Sequence, residues 1–194
     1  MNKVQEIFRL ASLYRDQDKG QPWEDLFDFI CRIGPENVFA YKKDLIFYFV
    51  KYMGSYGMFR GKRLFTPTKL SNVLLEGQSV YLKYLIQPTK YHIEAWKKTY
   101  ELVTRRNING SAVVISKVLM GFGGRTPAFD RRFLNVMRSN PGLLELGVNG
   151  LVSLLKESGR HPFKTQAGNA IPWERTLDMA FWMAGSEDYE GWLS

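Results

Sequence analysis

Apolar residues recur at helical spacing through most of the chain: Trp23, Leu26, Phe27 and Ile30; then Val38, Tyr41, Leu45, Tyr48, Phe49 and Tyr52; then Ile93, Trp96, Tyr100 and Val103. The period-two alternation of half-buried strands is scarce. The pattern predicts helices over 3–14, 23–33, 35–53, 68–86 with a break near Gly77, 89–105, 110–121, 127–138, 141–157 and 173–184. Pro35, Pro88, Pro141 and Pro172 mark helix starts, and Thr126 before Pro127 suits an N-cap followed by the first helical position. The expected fold is all-α: one compact helical domain, for which 194 residues with 45% apolar side chains supply a sufficient core.

Two glycine-rich stretches interrupt this pattern beside basic residues, Gly54-Ser55-Tyr56-Gly57-Met58-Phe59-Arg60-Gly61 and Gly121-Phe122-Gly123-Gly124-Arg125-Thr126-Pro127. Neither has the Gly-Lys-Ser/Thr ending of a phosphate-binding Walker loop, and neither follows a strand as a dinucleotide fingerprint must. Nucleotide hydrolysis loses support. The polar stretch 158–171 reads as a connection before the last helix.

Composition narrows the function classes. The single cysteine, Cys31, allows no disulfide framework, cysteine-ligated zinc or iron–sulfur cluster, which fits a cytoplasmic location. His92 and His161 are remote from each other and from any acid cluster, so no metal site, no cofactor and no serine or cysteine triad is expected. No run approaches the length of a membrane span, and Glu6, Arg9, Arg15 and Asp16 interrupt what a signal peptide would need as an apolar stretch. A monomer without membrane association is the expectation.

Charge changes the picture more. Residues 41–69 hold seven basic side chains (Lys42, Lys43, Lys51, Arg60, Lys62, Arg63 and Lys69) against Asp44, and residues 105–132 hold six (Arg105, Arg106, Lys117, Arg125, Arg131 and Arg132) against Asp130. These two segments carry more positive charge than the +8 of the whole chain. Concentrated positive charge is what a polyanion site requires, and DNA is the expected partner; the competing reading is a pair of solvated helix faces.

The second basic segment also has a pattern. Arg106-Asn107-Ile108-Asn109-Gly110-Ser111 is a tight turn between two helices, able to offer backbone N–H groups and asparagine amides to a phosphate at a helix N-terminus. A plain helix–turn–helix connection is the alternative. Twenty residues beyond Gly110 stands Asp130, within Pro127-Ala128-Phe129-Asp130-Arg131-Arg132-Phe133. Over about 35 residues, roughly 100–138, this arrangement resembles the helix-hairpin-helix DNA glycosylases, especially their 8-oxoguanine glycosylase side. In that family a glycine hairpin grips the DNA backbone, and an essential aspartate opens a helix about twenty residues on.

The resemblance implies a base-excising enzyme with Asp130 as its catalytic carboxylate and a base flipped from duplex DNA. An Asn replaces the first hairpin glycine, and the Gly-Phe-Gly-Gly loop before Asp130 is an extra feature. Where bifunctional members carry a Schiff-base lysine this chain has Ala112; Lys117 lies five positions on, about 140° round the axis. The implied enzyme is therefore monofunctional. A carboxylate near the sugar would stabilise an oxocarbenium-like transition state and orient the attacking water. Asp130 as a helix cap, or paired to Arg131 or Arg132, is the competing reading.

The expected DNA contacts are Arg106, Asn107, Asn109, Gly110, Ser111, Arg125, Arg131, Arg132, Arg60 and Lys62, with Tyr56, Phe59 and Trp173 as base-pocket candidates that core packing would equally explain. Gly57-Met58-Phe59-Arg60-Gly61 and Asp178-Met179-Ala180-Phe181-Trp182 also resemble segments of an uncharacterised bacterial helical family, which implies bacterial origin and, by analogy only, a role in phage defence. Two other classes stay open. One is a non-catalytic DNA-binding module and the other a helical protein whose basic patches meet an acidic partner.

Overall fold

A computed structural model describes residues 3–17, 20–59, 65–106, 108 and 112–185. Among them are ten α-helices, one 3-10 helix and no strand beyond an isolated bridge between Lys164 and Ala170, so the all-α expectation holds. The elements are α1 (Lys3–Asp16), α2 (Gln21–Ile33), a 3-10 helix (Pro35–Tyr41), α3 (Lys42–Ser55), α4 (Pro67–Glu76), α5 (Gln78–Ile86), α6 (Pro88–Arg105), α7 (Ala112–Gly121), α8 (Arg131–Ser139), α9 (Pro141–Glu157) and α10 (Trp173–Ala184). They form two compact units, Met1–Gly20 with Gly124–Ser194, and Gln21–Gly123.

The sequence locates most helix ends. Thr66 and Asn140 cap α4 and α9 by accepting from Lys69 N and Leu143 N, with proline at the next position in each. The break between α4 and α5 falls at Gly77, where an added Cβ would meet the Tyr81 ring at 2.3 Å. Two expectations are corrected. The stretch 35–53 is not one helix, because its first seven residues take the tighter 3-10 form. Pro127 does not open α8: the chain stays non-helical through Asp130, which is itself the N-cap.

The Gln21–Gly123 unit is organised around the end of α7. Trp23 Nε1 donates to Met120 O at 3.0 Å, and Tyr52 Oη donates to Lys117 O at 2.9 Å, so two buried side chains from α2 and α3 satisfy carbonyls of α7. Gly121 is required there, since a Cβ would lie 2.4 Å from the Phe49 ring. Phe122 then packs on Phe49 at 4.7 Å and stacks on Tyr81 at 4.5 Å. The second glycine stretch thus anchors this unit's core, and the chain leaves the unit across Gly123 and Gly124, both at positive φ.

In the other unit α10 is the centre, packed by α1, α8 and α9. Tyr14 meets Trp182 edge-on at 5.4 Å, Phe8 meets Trp173 at 5.9 Å, and Phe133 meets Phe181 at 5.0 Å. The end of α10 approaches α8 so closely that a Cβ on Gly185 would lie 2.6 Å from Arg132 O.

Candidate functional site

Asp130 is placed by two sets of interactions. Its Oδ1 accepts from the backbone N–H groups of Arg132 and Phe133, both at 3.1 Å, which satisfies two of the donors left over at the start of α8. Two residues upstream, Ala128 N–H donates to Asp178 Oδ1 at 2.8 Å. The other Asp178 oxygen pairs with the Arg175 guanidinium, which also donates to Tyr14 Oη at 3.1 Å. Arg175 and Asp178 are both buried, as is Thr126. The segment before Asp130 is therefore held from α10 through a buried ion pair, and the carboxylate stands at the mouth of a helix rather than inside one.

The cations near Asp130 differ in their engagement. Arg131 is exposed, Arg132 lays its guanidinium 3.8 Å above the Trp182 ring, and Arg125 lies 3.7 Å from Glu174. Trp173 is half-buried against Phe8 in this same unit.

The remaining candidates belong to the Gln21–Gly123 unit. Asn107, Asn109, Gly110 and Ser111 lie outside the described residues, as do Arg60 and Lys62. Arg106 bonds Glu76 and donates to Leu102 O at 2.9 Å, and Arg105 takes the other Glu76 oxygen, so this pair ties the end of α6 to the end of α4. Ala112, at the position of the Schiff-base lysine in the resemblance, is exposed; Lys117 is buried with Nζ 3.8 Å over the Tyr56 ring. Tyr56 also meets Tyr52 edge-on at 5.3 Å, and Phe59 packs on Phe65 at 5.7 Å. Both rings are thus partly occupied by their own unit. Tyr56 and Phe59 belong to this unit and Trp173 to the other.

One side chain escaped the sequence reading. Phe47 falls off the apolar stripe of Leu45, Phe49 and Tyr52 and is 63% exposed on α3. Its offset from that stripe was the available signal. Tyr41, counted with the stripe, is 49% exposed.

Among the described residues no group of three or more His, Cys, Asp or Glu side chains could hold a metal ion, and no helix is long and apolar enough to cross a membrane. His92 sits between the Tyr84 and Trp96 rings, where burial lowers its pKa, and His161 is exposed. No protein-family model, curated protein or solved structure matches this chain.

Charge is distributed unequally between the units. Gln21–Gly123 contains 15 Lys and Arg against 8 Asp and Glu, a net +7 of the chain's +8, and the rest of the chain contains 12 against 11.

Proposed function

We propose that this chain binds nucleic acid through the Gln21–Gly123 unit. The observation that carries the reading is the charge partition: nearly the whole positive surplus belongs to this unit, while the unit containing Asp130 is close to neutral. Lysines that neutralise phosphates release condensed counterions, so binding must weaken steeply with salt. Fluorescence anisotropy of a labelled oligonucleotide, titrated with the full chain from about 50 to about 200 mM salt, tests this, with an expected loss of at least tenfold in affinity. Absence of binding at the low-salt end rejects it.

A second reading, base excision at Asp130, is favoured by one specific observation. The carboxylate is fixed at the start of α8 by two N–H bonds, and the chain leading to it is held by the buried Arg175–Asp178 pair. A carboxylate so positioned suits hydrolysis of an N-glycosidic bond, in which water adds to the sugar carbon, the base departs and an abasic sugar remains. Asp130→Asn discriminates between capping and catalysis, because asparagine caps as well as aspartate but carries no charge. On this reading the variant keeps its thermal stability and loses at least a hundredfold in abasic-site formation on a panel of modified duplexes. Unchanged base release by the variant removes Asp130 from the chemistry, and no release by the natural chain leaves the non-catalytic reading.

A further inference from the structure

We draw no further inference here: the strongest candidate, the exposed stripe of Ile93 and Tyr100 with Lys90 and Lys97 on the outer face of α6, carries none, because exposed Glu94 and Glu101 stand beside those lysines and nothing in the structure shows what covers it.

Discussion

Asp130 and Asp178 are both acids, one capping α8 and the other within α10, and their surroundings give them different roles. Asp130 is a helix cap at the surface of its unit, so Asp130→Ala should lower unfolding stability by about 1 kcal/mol in urea denaturation, while Asp130→Asn should cost only a fraction of that. Asp178 is buried, bonded to Ala128 N–H and paired with Arg175. Removing one partner of a buried pair leaves an uncompensated charge, so Asp178→Ala or Arg175→Ala should destabilise by about 3–5 kcal/mol. Equal effects of Asp130→Ala and Asp178→Ala would contradict this division of roles. The sequence offered Asp130 as an acid at a helix start, and it is one. It could not show why the preceding residues are not helical, because the constraint comes from Asp178, nearly fifty residues away.

Among elements, helices were legible wherever the periodic stripe and the punctuation agreed, as at α4, α5, α6 and α10, whose bounds fall within two residues of the expected ones. Agreement failed where direction mattered. Ile93 and Tyr100 follow the helical period of α6, but the buried face is Ala95, Thr99, Leu102 and Val103, since the neighbouring α5 meets the small side chains. That contact is tied by Tyr81, whose hydroxyl shares a 3.0 Å hydrogen bond with Thr99 Oγ1. Burial raises the Tyr81 pKa well above the ordinary value, against a small lowering by the Thr99 bond.

The sign of the pH effect follows from that direction. A phenol that stays protonated in the folded state but ionises at about pH 10 when unfolded costs nothing at neutral pH, and stability falls as pH rises beyond that value. Tyr81→Phe should flatten this alkaline decline in thermal melts, and an identical slope in the variant would contradict it. At the other unit's tightest approach, Gly185→Ala forces a Cβ into Arg132 backbone, so a loss of a few kcal/mol is expected on denaturation, larger than for an alanine placed at open Gly159.

For the whole molecule, the chain's modest +8 conceals a division that the sequence could only suggest. The basic segments 41–69 and 105–132 were visible as sequence, but the boundary at Gly123 splits the second, leaving Arg125, Arg131 and Arg132 with Asp130 in a nearly neutral unit. The hairpin residues and the carboxylate that the glycosylase resemblance joins by spacing therefore belong to different units. Spacing along a chain does not reveal such a partition, because contacts between distant helices set it.

The central claim is that the cationic unit is a polyanion-binding surface. The most direct measurement is the slope of log affinity against log salt for the full chain on a labelled oligonucleotide, repeated for Lys42→Gln/Lys43→Gln. Each phosphate contact contributes about 0.7–0.9 to that slope, so removing two lysines should reduce it by about 1–2 and weaken binding at low salt. A salt-independent affinity, or no binding at all, contradicts the claim, and a slope untouched by the double variant while binding persists removes exposed Lys42 and Lys43 from the contact.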